Sequence, residues 1–453
     1  MKRFNWLLVA LVAFALIAAA CADDEGDDTT TTSTTAGDSG TTETTEAMAD
    51  LSGTTVTVFG SESSDEEAGA MQDALDVFAE ETGINIVFTG ARDFSDQINA
   101  QAAGGNPPDI AIFPQPGKVA DFAREGFILP VPDSVNEVLK ANWDQAWIDF
   151  GTVDGVQYGV NNKSDIKSLV WYSPSAFSEA GYAVPASWDD LKALTATMVA
   201  DGLTPWCVGI ESGPATGWPY TDWIEDLTLR FEGADYFDQW VSNDVKFSDP
   251  GMQAIWTEVL SLWNSAGNTY AAGGSIAATP FGDNGQPLAD GTCMMHRQAS
   301  FFSAFLPEGT PTGPDGISVF YFPPGPNGER PVLGGGTLAS AFRDAPEVWA
   351  VMEYYATGEY ATNRQLAQQT RKNGQLSGFL SANQNQDLSA YLPLEQEMIS
   401  IMLGAEVLRF DGSDLMPAAV GSGSFWTEGT SAVNGDKTVE EATAAIDASW
   451  PTE

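Results

Sequence analysis

The sequence predicts an α/β fold built on a mostly parallel sheet. Short β-rich runs alternate with helical runs along the first part of the chain, and glycine or proline punctuates most of them. The hydrophobic fraction, 43% of 453 residues, is enough to bury a sizeable core. Length alone suggests two or three domain-sized units.

The elements follow in order. Val56-Thr57-Val58-Phe59 is a β-rich run closed by Gly60. Residues 68–82 place apolar side chains at 71, 74, 75, 78 and 79, which is the spacing of one helix face, and Gly83 is a natural stop. Residues 84–89 read as a second strand ended by Gly90, and residues 94–103 as a helix. Asp109–Phe113 is a third strand between Pro107-Pro108 and Pro114, followed by a helix over 119–125. This βαβαβα order implies parallel strands covered by helices. Ligands of such sheets bind beyond the carboxyl ends of the strands. Those ends hold Ser61-Glu62, Arg92-Asp93 and Pro114-Gln115. Much later, Ile317–Phe322 reads as a strand that runs into Pro323-Pro324-Gly325. No internal repeat is visible.

Charge narrows the function. Nineteen Lys and Arg against sixty-three Asp and Glu give a net charge of −44. Such a chain repels nucleic acid and anionic membrane surfaces. His296 is the single histidine, so multi-histidine metal sites and most histidine relays are excluded. It reads as a hydrogen-bonded structural residue. No HExxH, P-loop, EF-hand loop or complete GxSxG motif occurs. Gly334–Ala339 fits the loose G-x-G-x-x-A pattern, but it lies late in the chain and outside an opening βαβ unit. Neither a metal nor a cofactor is expected.

The first fifty residues read as address and tether. Lys2 and Arg3 precede an uncharged run from Trp6 to Ala20, fifteen residues against the ~20 of a membrane span. Positive start, apolar stretch and small residues describe an export signal. Its end, Ala18-Ala19-Ala20-Cys21, resembles a bacterial lipobox, which implies lipidation of Cys21 and cleavage before it. Ala18 stands where that motif usually has a larger aliphatic residue; the alternative is ordinary signal cleavage. Residues 22–50 carry nine acids, no bases and ten Thr, the composition of a solvated linker. The remaining body carries 17 − 54 = −37. Cys207 and Cys293 form an even pair in an oxidising compartment, so a disulfide between them is expected, with two separate buried thiols as the alternative.

Longer stretches carry a resemblance. "VTVFGSES…AGAMQDALDVFAEETGINIVFTG" and "DQINAQAAGGNPPDIAIFPQPGKVADFAREGFILPV" resemble the sugar-type extracellular solute-binding proteins of ABC importers. "DGVQYGVNNKSDIKSLVWYSPSAFSEAGYAVPASWDDLKAL" is similar to their crossing into a second lobe. "CVGIESGPATGWPYTDWIEDL" and "CMMHRQASF" look like the α-glucoside branch, and "LMPAAVGSGSFWTEGTSAVNGDKTVEEATAAID" resembles the end of maltose-binding proteins. The likeness spans nearly all of residues 54–450. It implies a two-lobed periplasmic-binding-protein-like fold with the ligand cleft between the lobes. Lobe 1 is expected over 51–165 and 318–385, and lobe 2 over 166–317 and 386–453. It also implies an oligosaccharide ligand, permease subunits as partners, and a monomer held outside the cytoplasmic membrane by its lipid.

A sugar presents apolar ring faces and a rim of hydroxyls, so its site needs flat aromatics beside charged acceptors and donors. Trp206, Trp218, Tyr220 and Trp223 are interleaved with Glu211 and Asp222, and about half of these aromatics are expected in the core. Trp223 opens a helical run with Leu227 and is read as core. Trp218, after the loop-like Gly213-Pro214…Gly217 stretch, is the leading stacking candidate, with Tyr220 second. The resemblance gives the same role to Trp426 in its glycine-rich stretch, and makes Gly335 part of a tight loop that approaches ligand. Glu62, Asp93 and Gln115 follow the first three strands. For Glu62 and Asp93 the alternative is an N-cap or a solvated carboxylate. Arg297 is a candidate donor or a partner for a carboxylate across the cleft. Lys163 and Lys167 lie near the crossing, and the sequence does not choose between them. Two other functions remain open at this point. One is a secreted glycoside hydrolase using a carboxylate pair; the other is a receptor of the same fold for a polyamine or quaternary amine.

Overall fold

The computed structural model describes residues 50–451. The export signal, Cys21 and linker residues 22–49 expected from sequence lie outside the described residues.

The opening segments alternate as the periodicity requires. Strand β1 (Thr55–Gly60), a helix over Asp65–Thr82, β2 (Asn85–Gly90), a helix over Phe94–Ala103, β3 (Ile110–Phe113) and a helix over Pro116–Arg124 follow one another. β1 pairs in parallel with both β2 and β3. The first helix starts earlier than its apolar stripe. Ser64 caps the Glu67 N–H, and Asp65, Glu66 and Glu67 fill the first turn, where helix dipole and capping favour them. It stops at Gly83, whose φ of 73° is readily adopted only by glycine and lets its N–H bond Ala79.

The remaining strands are β4 (Thr152–Val153), β5 (Val156–Gln157), β6 (Val160–Ile166), β7 (Leu169–Tyr172), β8 (Trp206–Cys207), β9 (Thr269–Tyr270), β10 (Met295–Arg297), β11 (Ser318–Tyr321), β12 (Val332–Ala341) and β13 (Leu408–Phe410). They build two main sheets. The first has the order β13-β12-β3-β1-β2 with β6 also on β12; the second has the order β11-β7-β10-β8-β9. Only Lys167 and Ser168 lie between β6 of the first sheet and β7 of the second. The chain returns through Phe322–Pro331, from β11 to β12.

Two strands sit in the other sheet from the one expected. β11, placed with the first lobe from residue 318, pairs antiparallel with β7 in the second sheet. β13, placed with the second lobe, pairs in parallel with β12 in the first. An apolar run identifies a strand but not its neighbour, which is chosen by long-range packing. Gly334–Gly336, expected as a tight loop, is also continuous strand inside β12. The loss of side chains there serves strand approach: a Cβ on Gly336 would lie 2.3 Å from the Lys163 carbonyl oxygen of β6.

The second sheet is covered by a core rich in tryptophan, including Trp206, Trp223, Trp240, Trp256 and Trp263. Trp206 and Trp223, both in the cluster weighed for sugar contact, belong to it. β8 and β10 run parallel with Met295 opposite Trp206. That register brings Cys207 and Cys293 together as a disulfide with Cα atoms 5.5 Å apart. His296 is buried beside it with Nδ1 2.9 Å from the Cys207 carbonyl oxygen. Burial holds its imidazole down at about 4, so at neutral pH it is an uncharged structural group.

Candidate functional site

The carboxyl ends of β1, β2 and β3 open onto one cleft with a volume near 310 Å³. Glu62, Asp93 and Gln115 line it from those three ends, Lys163 from within β6 and Lys167 from the first crossing. Trp218 and Trp426 complete the expected residues found there.

Two buried charge clusters form the floor. At one, Lys163 Nζ donates to Glu62 Oε1 at 3.0 Å, and Arg364 Nη2 donates to Glu62 Oε2 at 2.9 Å. Burial alone would raise the Glu62 carboxyl. Lys163 and Arg364 overcome it and hold the group down at about 2. Glu67 and Asp165 beside this cluster are pushed up, by burial first; for Glu67 the Glu62 charge adds to it. At the other cluster, Lys167 Nζ donates to Asp222 Oδ1 at 3.0 Å and to Asp411. Burial opposes charge on all three, but the two carboxylates together keep the ammonium well above its ordinary value. Burial and the Asp411 charge push Asp222 up, whereas Asp411 is driven down by Lys167 against its own burial. The sequence could not separate Lys163 from Lys167, and both face the cleft.

One wall is aromatic. Trp218 meets Phe281 with ring centroids 4.9 Å apart and Phe301 at 5.9 Å, and Phe281 meets Phe305 at 5.0 Å. The Lys163 ammonium lies 5.7 Å from the Phe301 ring and the Lys167 ammonium 5.8 Å from Trp218, so each cation is set against an aromatic face. Trp218 does not sit in a loop. It opens a helix over Trp218–Phe231, with Pro219 in the first turn. Gly217, at φ 118°, precedes it, and a Cβ there would lie 2.3 Å from the Trp426 carbonyl oxygen. That glycine therefore lets the start of this helix touch the Trp426 segment. Trp426 itself opens the helix Trp426–Asn434 after a π-helical turn over Val420–Phe425. Its Nε1 is buried without a partner, as is Gln115 Oε1. Both atoms are shut off from solvent although their residues line the cleft.

Four expected contacts are corrected. Tyr220 is fully buried, edge-on to Trp256 and Trp263. Two residues along a helix turn a side chain by ~200°, so Tyr220 faces the core when Trp218 faces the cleft. Asp222 and Arg297 lie behind the cleft surface, Asp222 under Lys167 and Arg297 between Asp222 and Asp226. Gly335 packs against the Lys167 stem, while its neighbours Gly336 and Thr337 line the cleft. Asp93, by contrast, keeps its place in the cleft lining, at the exposed rim; it holds the N-cap position of its helix without capping it, and accepts from Gln97 at 2.7 Å.

Several lining residues escaped sequence reasoning: Glu67, Asp165, Phe281, Phe301, Asp411 and Asp414. Two of them had a local signal. Glu67 stands three after Ser64, a capping pattern, and Asp411 caps its own turn by accepting from the Asp414 N–H at 2.8 Å. Asp222, Glu225 and Asp411 offer carboxylate oxygens within 4.8 Å of one another. Lys167 bonds two of these three, and Glu225 accepts from the Gly412 and Ser413 N–H groups. A lysine already supplies the cation at that cluster, and the carboxylates are not read as a metal centre.

A family model for bacterial extracellular solute-binding proteins matches residues 61–362. The chain belongs to that family. An alpha-glucosides-binding periplasmic protein of Rhizobium meliloti is 37% identical over 417 residues, covering 88% of each chain. An osmoprotective compounds-binding protein of Synechocystis is 37% identical over 392 residues, covering 85% of this chain and 90% of its own. Among solved structures, the bacterial solute receptor AcbH superposes with a TM-score of 0.73 at 18% identity, over 87% of this chain and 97% of its own. This solute-binding protein is of the sugar type that serves ABC importers, it works outside the cytoplasm, and it has the two-lobed fold of that family.

Proposed function

We propose that this solute-binding protein captures an α-glucoside or a related small oligosaccharide in the cleft and closes its two lobes around it. The observation that carries this reading is the pairing, in one cleft, of an aromatic wall with polar and charged side chains: Trp218, Phe281 and Phe301 with Glu62, Gln115 and Lys163. Apolar sugar faces stack on the first and sugar hydroxyls bond to the second. The α-glucosides-binding relative supports the ligand class. Ligand held by both lobes binds the closed state better than the open one, and that difference shifts the population. The closed form is then presented to the permease, with no chemistry on the ligand. Cys21 carries the lipid, residues 22–50 give reach from the membrane, and relative to the division expected from sequence lobe 1 gains β13 and lobe 2 gains β11.

A cationic ligand is disfavoured because Glu62, Asp222 and Asp411 already neutralise the protein's own lysines and arginines. Isothermal calorimetry with maltose, trehalose and longer α-glucosides tests the proposal. Binding of at least one, without released monosaccharide on prolonged incubation, is the expected result. Silence across the panel, or hydrolysis, removes the reading.

A further inference from the structure

A series of buried charges runs from the cleft to both crossings between the sheets. Lys167, at the cleft, donates to Asp222 Oδ1 at 3.0 Å. Asp222 Oδ2 lies 3.3 Å from Arg297 Nη1, and Arg297 Nη2 donates to Asp226 Oδ2 at 2.9 Å. Asp226 Oδ1 in turn accepts from Arg230 and, at 2.9 Å, from the Ser168 hydroxyl. Arg230 ends the series on backbone: Nε donates to Pro323 O at 2.9 Å and Nη2 to Phe322 O at 3.0 Å. Signs alternate at every step. Asp222, Asp226 and Arg230 stand four residues apart on the Trp218–Phe231 helix, so one helix face carries three members. The Asp226 and Arg230 side chains are 0% exposed.

The far end is what gives the series a meaning. Phe322–Pro331 is the return crossing, and Lys167-Ser168 is the outward one. The two are bonded to each other and to the start of β12: Phe322 N–H donates to Ser168 O at 2.9 Å, while Leu333 of β12 donates its N–H to Ser168 Oγ at 2.9 Å and accepts from Lys167 N–H at 2.8 Å. Asp226 and Arg230 therefore grip both crossings at once. Stability alone does not call for such a series, since apolar side chains of similar volume avoid the desolvation cost of burying charge. A series with one end in the ligand cleft and the other on the segments that must flex has a different use.

We propose that Lys167–Asp222–Arg297–Asp226–Arg230 couples ligand capture to the crossings, with Asp226 and Arg230 as positioning residues. The proposal rests on the reading of the cleft as the sugar site. A sugar hydroxyl that accepts the third N–H of Lys167, the other two being on Asp222 and Asp411, draws the ammonium toward the ligand and loosens its hold on Asp222. Asp222 recovers by drawing on Arg297, and the redistribution passes through Asp226 to Ser168 and Arg230. The crossings are then held more tightly when ligand is bound, which is the differential contact that coupling between two places requires.

Hydrogen exchange read by mass spectrometry tests this on the mature protein, with whichever of maltose or trehalose binds by calorimetry. In the wild type, saturating sugar slows exchange at the Phe322 and Leu333 amides about fivefold or more. In Asp226→Asn the sugar still binds, but that ratio falls to within twofold of unity. A purely structural Asp226 raises exchange with and without sugar alike and leaves the ratio intact. Should Asp226→Asn not fold, Ser168→Ala is read at the Phe322 amide alone, because it removes the bond from Asp226 to the outward crossing and keeps every charge, but also takes away the Leu333 N–H acceptor. No protection in the wild type, or wild-type protection ratios in the variants, overturns the coupling. If maltose and trehalose are silent, the longer α-glucoside that binds is used instead; if the whole panel gives no heat with the wild type, the cleft reading falls first, and the coupling with it.

Discussion

Glu62→Gln is the sharpest test of how the cleft floor is built. Glu62 follows β1, is 9% exposed, and is the acceptor for both Lys163 and Arg364. The amide keeps its size but removes the charge that balances two buried cations. Lys163 and Arg364 hold the folded carboxyl down at about 2 against an ordinary 4.5, so the charge contributes to stability at neutral pH. Breaking a buried ion pair from one side costs about 3–5 kcal/mol, which sets the size of the effect expected here. The sign follows from the direction of the shift. A depressed carboxyl contributes its full stability above 4.5 and loses it as pH falls toward 2. Urea unfolding at pH 7 should therefore place the variant about 3 kcal/mol below the wild type. The gap should hold down to pH ~4.5 and narrow only below that. Equal stability at pH 7, or a gap that widens in acid, refutes the ion-pair account of this floor.

The remaining predictions divide the cleft from its support. Trp218→Ala and Trp426→Ala should each weaken sugar binding by roughly 2 kcal/mol, about thirtyfold, by calorimetry. Tyr220→Phe should leave binding within twofold and stability unchanged or slightly higher, because its buried hydroxyl has no partner. Reducing the Cys207–Cys293 bridge opens a loop of 86 residues and should cost about 4 kcal/mol in unfolding free energy in the chain-entropy model, with sugar affinity preserved. His296 is held down at about 4, so the wild type should lose stability as pH falls from its unfolded value near 6.5 toward 4. His296→Gln should remove that part of the slope in urea titrations between pH 7 and 4.

What the sequence made legible follows the range of the interactions involved. β1 to β3 and the Phe94–Ala103 helix were readable because periodicity and glycine stops are local signals. Glu62 and Gln115 were reachable because one topological rule places ligands beyond parallel strand ends, and both lie there. Tyr220 was misplaced for a local reason. Trp218, Tyr220 and Asp222 look like one cluster in a loop, but a helix begins at Trp218 and spreads them around its axis. The Gly217-Trp218-Pro219 sequence contains that helix start, with proline in the first turn, so the error was recoverable from sequence. Phe281, Phe301 and Asp411 were not. They reach the cleft from segments more than sixty residues from Trp218, brought in by sheet pairing and packing that no window of sequence encodes. The same distinction revises the meaning of the acidity. Most of the −37 on the body remains a solvated surface, but Glu62, Asp222, Asp226 and Asp411 are buried beside Lys163, Lys167, Arg230, Arg297 and Arg364. With only nineteen Lys and Arg in the chain, five are spent around the cleft and its crossings. In a protein so poor in cations, that concentration marks the region where charge is arranged for function rather than for solubility.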